Sequence, residues 1–328
     1  MSIKVVLVKV VLLGFLAVMV SGAARPQPTS AFRSENQPGR VYRLYVPTGY
    51  TPGTPVPLLV MLHGCSQTAR EFASATQMNQ YAESETFIVL YPQQSLSENI
   101  SRCWNWYLPA HQSRGGGEAA DVANLINTVK AAYTIDDDRV FVAGFSSGGA
   151  FAVTMGAAYP DLIAGIAVHS GLEYKAATNL IDAFLAMSSG GPNPDTQGLV
   201  AYQAMGSYAR PMPTLVFHGD FDFTVNTVNG HQVLSQWAQT NDLVADGVDN
   251  DDVDNVPEAV IPGSVPGGHD YTEYLYEDSS GALLLKKVIV QGMMHNWSGG
   301  RAGGSYTDPD GPDASGMIVE FFSMNNEQ

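Results

Sequence analysis

Five short apolar runs without alternation constrain the fold of this chain more than any other feature. They are Pro57 to Leu62, Phe87 to Tyr91, Val140 to Ala143, Ile163 to Val168 and Thr214 to Phe217, each ending in polar or glycine residues. Successive side chains of a strand point to opposite faces, so a run that is apolar throughout suits a strand covered on both sides. Helical patterns lie between the runs. Val122, Leu125, Ile126 and Val129 follow i, i+3, i+4, i+7 spacing within Gly117 to Tyr133, which predicts an amphipathic helix packed on the sheet. Strand, helix, strand alternation of this kind predicts an α/β architecture with right-handed crossovers: a mostly parallel central sheet with helices on both faces.

The flanks add detail. Arg40 to Pro47 alternates and reads as a strand at a sheet edge, while Tyr271 to Tyr276 and Leu283 to Val290 flank the turn Asp278-Ser279-Ser280-Gly281. The second of these leads into Gly292-Met293-Met294-His295, and a final helix is expected over Ala314 to Phe322. No Pro/Ser/Thr-rich linker divides the 328 residues, so residues 40–328 are expected to form one catalytic domain. The polar residues 24–39 read as a flexible N-terminal segment. Ahead of them, Lys4 and Lys9, the apolar run Val10 to Val20 and Ser21-Gly22-Ala23-Ala24 have the order of a signal peptide, residues 1–23. The run is short for a bilayer span, so a secreted, soluble protein is expected after cleavage, with an uncleaved membrane anchor as the other reading; a monomer is expected.

The formal charge of −16 repels phosphate backbones and anionic lipid headgroups, which disfavours nucleic acid and membrane partners. The two cysteines, Cys65 and Cys103, have no C-x-x-C partner, so they do not read as a metal site. In an exported chain pairing is their default, with two buried thiols as the other reading. Acidic residues cluster from Asp242 to Glu258 in what reads as a surface insertion. Asp246, Asp249 and Asp251 loosely resemble calcium-binding aspartate repeats, but the EF-hand offsets are not met, and a solvated acidic loop is the simpler expectation.

Gly144-Phe145-Ser146-Ser147-Gly148-Gly149 follows one apolar run and precedes the helical run Ala150 to Ala158. In that setting G-x-S-x-G is a nucleophile elbow, a strand-to-helix turn too tight for side chains beside the serine, which lifts the Ser146 hydroxyl above the sheet. A serine hydroxyl needs an imidazole base oriented by a carboxylate, and on this architecture the acid and then the base follow in later loops. Asp220 and Asp222 both follow the run Thr214 to Phe217. Of seven histidines, His295 alone ends a late strand with a flexible loop behind it. His63 fits a loop-shaping role, His169 a core hydrogen bond, and His218 precedes the acid. The oxyanion of a tetrahedral intermediate needs two N–H donors, expected from Ser147 and from Cys65 in the loop after Leu62.

Leu62-His63-Gly64-Cys65, Cys103-Trp104-Asn105-Trp106, Arg114-Gly115-Gly116-Gly117-Glu118, the Ser146 elbow, His218-Gly219-x-x-Asp222-x-x-Val225 and His295-x-Trp297-Ser298-Gly299-Gly300 are six ordered motifs. Together they resemble the poly(3-hydroxybutyrate) depolymerase family of esterases, which shades into feruloyl and acetylxylan esterases, over Arg40 to the C-terminus. The resemblance implies an α/β-hydrolase fold, the triad Ser146, Asp222 and His295, an oxyanion role for Cys65 and a Cys65–Cys103 disulfide. It implies a secreted serine esterase without metal or organic cofactor, acting on a polyhydroxybutyrate-type polyester or its oligomers. A feruloyl or acetylxylan ester is the alternative substrate, and an inactive polymer-binding protein the alternative of another class. Met294 stands where relatives have glycine, and the acidic insertion is not a family feature. Trp104, Trp106, Tyr107 and Trp297 are candidates to line a substrate cleft, with packing around the disulfide an equal reading for Trp104 and Trp106, and Arg114 and Glu118 are expected to form a charged pair.

Overall fold

The computed structural model describes residues 31–37 and 40–324. The expected signal peptide lies outside them. In chain order the elements are β1 (Ala31–Gln37), β2 (Arg40–Val46), β3 (Val56–Leu62), α1 (Ala69–Thr76), α2 (Met78–Glu85), β4 (Ile88–Pro92), α3 (Gly117–Ala132), β5 (Ile135–Phe145), α4 (Ser147–Ala158) and β6 (Gly165–His169). They continue with α5 (Leu180–Ser189), α6 (Pro194–Met205), β7 (Thr214–Gly219), α7 (Val228–Asp246), β8 (Ala259–Ser264), β9 (Asp270–Glu277), β10 (Leu283–Val290), the short β11 (Trp297–Ser298) and β12 (Thr307–Asp308), and α8 (Ala314–Met324).

Ten strands form one sheet in the order β1-β2-β4-β3-β5-β6-β7-β10-β9-β8. The five unalternating runs fall in β3 to β7, which with β10 make its parallel centre: β4, β3, β5, β6, β7 and β10 pair in parallel, with antiparallel strands at both margins. β3 shows why such runs lack alternation. Leu58, Val60 and Leu62 enter one hydrophobic core, with residues of α3, α4, α6 and α7. Leu59 and Met61 enter the other, with residues of α1, α2 and α8. Each side chain is therefore removed from water whichever way it points, and burial favours the fold at roughly 25 cal/mol per Å² of apolar surface.

Two expectations need correction. β2 is not the edge strand, because β1 pairs outside it from Ala31↔Val46 to Gln37↔Arg40. Part of the segment expected to be flexible is thus tied to the sheet through its main chain. The acidic segment is also less of a free loop than its composition suggests. Residues 242–246 complete α7, and the buried Asp242 accepts the N–H groups of Asn250 (3.1 Å) and Asp252 (2.6 Å), drawing the following loop around its carboxylate.

Candidate active site

Ser146 lies between β5 and α4 with φ 55° and ψ −118°, a strained backbone for a residue with a side chain. Two hydrogen bonds hold it: its N–H donates to the His169 carbonyl (2.8 Å) and its own carbonyl accepts the N–H of Ala150 (3.0 Å). A Cβ on Gly148 would lie 2.1 Å from the Leu62 carbonyl oxygen, so glycine there lets α4 close onto the end of β3. Ser147, first residue of α4, is thereby brought beside the segment His63 to Ser66. Its N–H belongs to the first turn, whose donors have no partner within the helix.

That segment is heavily braced. Cys65 is disulfide-bonded to Cys103, and the Ser66 N–H donates to the Ser101 carbonyl at 2.7 Å. Trp104 donates its indole N–H to the His63 carbonyl (3.0 Å) and its main-chain N–H to Ser147 Oγ (3.3 Å), and it stacks on Phe151. His63 is fully buried, donating from Nδ1 to the Gly64 carbonyl (2.8 Å) and accepting the Gln94 N–H on Nε2 (3.0 Å). Burial pushes its pKa down to about 4, so the ring is neutral. Behind it the buried Glu118 accepts from the Asn105 N–H (2.8 Å), from Asn105 Nδ2 (2.6 Å) and from Gln94.

The candidate acid and base, Asp222 and His295, come from the other side of the elbow. Asp222, 2% exposed, follows β7, and its Oδ1 accepts the N–H groups of Thr224 and Val225, both at 2.9 Å. Its Oδ2 accepts from His295 Nδ1 at 2.6 Å. Burial raises the carboxyl pKa, but the hydrogen bond from His295, the two imidazoles beside the carboxylate and the Val225 N–H outweigh it and hold the group below the usual range. With Nδ1 donating to Asp222, Nε2 is the ring nitrogen left to accept a proton. The ring lies against Phe145, the residue before Ser146, with centroids 4.9 Å apart. His218, neutral because burial lowers it to about 4, donates from Nε2 to the Val225 carbonyl at 2.8 Å and so steadies the Asp222 loop. Asp220, the other carboxylate weighed from the sequence, has a different partner, the N–H of Gly292 at 2.7 Å. A Cβ on Gly219 would lie 2.1 Å from the Met293 carbonyl, so glycine also lets these two loops touch.

A family model described as Esterase PHB depolymerase matches residues 40–260. The chain belongs to this family. Poly(3-hydroxyalkanoate) depolymerase C of Paucimonas lemoignei is 32% identical over 253 residues, which are 76% of this chain and 57% of that protein. Probable acetylxylan esterase A of Neosartorya fischeri is 31% identical over 213 residues, 62% of this chain and 56% of that protein. The match thus spans little more than half the length of either relative. Among solved structures, the acetyl xylan esterase from Aspergillus awamori superposes with a TM-score of 0.67 at 21% identity, over 90% of this chain and 98% of that one. The fold is of α/β-hydrolase type. The family match includes Ser146 and Asp222 and ends before His295.

The burial of the tryptophans favours packing over the cleft reading. Trp104, Trp106 and Trp297 are buried at 0%, 5% and 1% exposure and do not line an open cleft. Their indoles are spent on support: Trp297 donates to Ser315 Oγ (3.3 Å) and stacks on His169, and Trp106 packs edge-on against Tyr107. Arg114 pairs with Asp161 and lies over the rings of Tyr159 and Tyr208, leaving Glu118 to the Asn105 network. Asp246, Asp249 and Asp251 are not gathered with a further ligand. Among the described residues no group of three or more His, Cys, Asp or Glu side chains could hold a metal ion. The aromatic and apolar groups that do reach solvent near the site are Phe221 (51%), Phe223 (78%), Met294 (57%) and Tyr306 (45%). Their signal in the sequence was adjacency: Phe221 and Phe223 flank Asp222, and Met294 precedes His295.

Proposed function

We propose that this chain hydrolyses carboxylic esters by acyl transfer through Ser146. The Asp222–His295 hydrogen bond at 2.6 Å, beside the strained elbow of Ser146, is the observation that carries the reading. His295 Nε2 takes the hydroxyl proton as Ser146 Oγ attacks the ester carbonyl, and Asp222 orients the ring and stabilises the imidazolium. The Cys65 and Ser147 N–H groups bind the oxyanion, and the imidazolium returns the proton to the departing alcohol. Water, deprotonated by His295, then attacks the acyl-enzyme and frees the acid and Ser146. Every step uses this chain's own groups.

The substrate we favour is a polyester of hydroxyalkanoates or its oligomers. Support comes from the depolymerase relative, whose match covers more of the chain than that of the acetylxylan esterase, and from the exposed Phe221, Phe223 and Met294, which suit a neutral apolar chain better than a sugar. Export of the protein through residues 1–23 belongs to the same reading. Among the described residues no helix is long and apolar enough to cross a membrane. The test is one assay of the mature protein on polyhydroxybutyrate film, a feruloylated sugar ester and acetylated xylan. Clearing of the film without ferulate or acetate release is expected; release from xylan with an intact film would reverse the substrate assignment. Ser146→Ala should lose all of these activities.

A further inference from the structure

His169 stands outside the residues that would touch a substrate, yet it reaches both halves of the site. It ends β6, and its main-chain carbonyl accepts the Ser146 N–H at 2.8 Å. Its side chain reaches the other way, where Nε2 accepts the N–H of Ser298, three residues beyond His295, at 3.0 Å. The ring is 1% exposed, stacked on Trp297 (4.9 Å) and Phe217 (5.5 Å), with Phe145 edge-on at 5.6 Å. Nδ1 lies 3.2 Å from Ser170 Oγ.

Resting on the triad reading above, we propose that His169 is a positioning residue that fixes the His295 loop relative to Ser146. Ser298 is fully buried, and a buried N–H without an acceptor is costly to leave unmade. Only an imidazole nitrogen without its proton can accept, so Nδ1 carries the hydrogen and donates it to Ser170. Burial, with His218 and His295 nearby, disfavours the charged ring and keeps that acceptor available. The same stretch of the base loop is also held from its other side, by pairing of β11 with β12 and by Ser298 Oγ donating to the Pro312 carbonyl (2.6 Å), but neither contact leads to the elbow. His169 is the tie from this loop to the strand next to the elbow. Loss of that tie leaves the loop folded but free to shift by about an ångström, and a misplacement of a reacting group by that much costs on the order of 10²-fold in rate.

The test compares His169→Phe, which keeps a stacked ring without an acceptor, with His169→Gln, whose Oε1 can reach the place of Nε2. On a short nitrophenyl ester, kcat of the Phe variant should fall on the order of 10²-fold with KM within about twofold, and the Gln variant should recover most of the loss. Equal kcat in the two variants, or a change confined to KM, overturns the proposal. Should the Phe variant fail to fold, nitrogen NMR of the imidazoles in the unsubstituted protein decides. A neutral ring protonated on Nδ1 between about pH 5 and 8 is expected, and a ring protonated on Nε2 overturns the proposal. Ser146→Ala separates the two levels: turnover surviving there removes the triad itself, whereas an inactive Ser146→Ala with equal His169 variants removes the positioning role alone.

Discussion

The two sides of the site are built by different means. The Cys65 side is held by a disulfide, a fully buried indole and a buried carboxylate with several donors. The Asp222 and His295 side is held by single hydrogen bonds between loops and neutral imidazoles, with aromatic residues standing in water beside them. The contrast follows the chemistry proposed for each. An oxyanion hole works by being preorganised, so stiffness serves it. A base that exchanges protons with two partners in turn needs orientation, which a few well-aimed hydrogen bonds supply.

The comparison breaks most sharply at Asp222. Asp222→Asn keeps the packing but removes the charge that selects the His295 tautomer, and kcat should fall on the order of 10⁴-fold with the melting temperature little changed. A drop shared by stability would mean that the carboxylate is structural.

Acid is the next lever, and it acts on both sides at once. His63 and His218 have folded pKa values lowered to about 4 from an unfolded 6.5, so the folded state prefers the neutral ring. The stability they contribute is present above pH 6.5 and lost as pH falls through the window down to about 4, at roughly 1.4 kcal/mol per pH unit for each ring. Denaturant titrations across this window should show the decline, and His63→Gln and His218→Gln should each make it shallower. If one substitution alone does so, the sides are unequally acid-sensitive.

How much of this was legible in the sequence depended on whether the cause was local. The Ser146 elbow was readable because glycines, strand and helix all lie within a dozen residues. Asp222 needed the resemblance, since Asp220 sits in the same loop and only the distant His295 and Gly292 tell them apart. The tryptophans stayed open between two readings because an indole beside a cysteine suits a cleft or a core equally well. Their burial is set by Phe151, His169 and Ser315, far along the chain. β1 carried no apolar signal, as its pairing is a matter of main-chain hydrogen bonds. Asp242 was read as one acid among many, although the fold uses it as a buried anchor.

Removing the disulfide sharpens the comparison further. Cys65→Ser with Cys103→Ser should lower stability by about 2–4 kcal/mol, read from urea unfolding, and should reduce kcat more than KM if the bond stiffens an oxyanion donor. Loss of stability without loss of kcat would confine the bond to the fold. The smallest effect is expected at the exposed rim. Phe223→Ala, at a residue 78% exposed, should leave stability within about 0.5 kcal/mol while slowing attack on polyester film more than on a short soluble ester.

The proposed mechanism rests on Ser146 as the activated nucleophile. Intact-mass and peptide mass spectrometry of the mature protein after treatment with a serine-directed fluorophosphonate measures this directly. One adduct on the peptide bearing Ser146, absent from Ser146→Ala and accompanied by full loss of esterase activity, is the expected result. An adduct on another residue, or esterase turnover that persists in Ser146→Ala, would contradict the account.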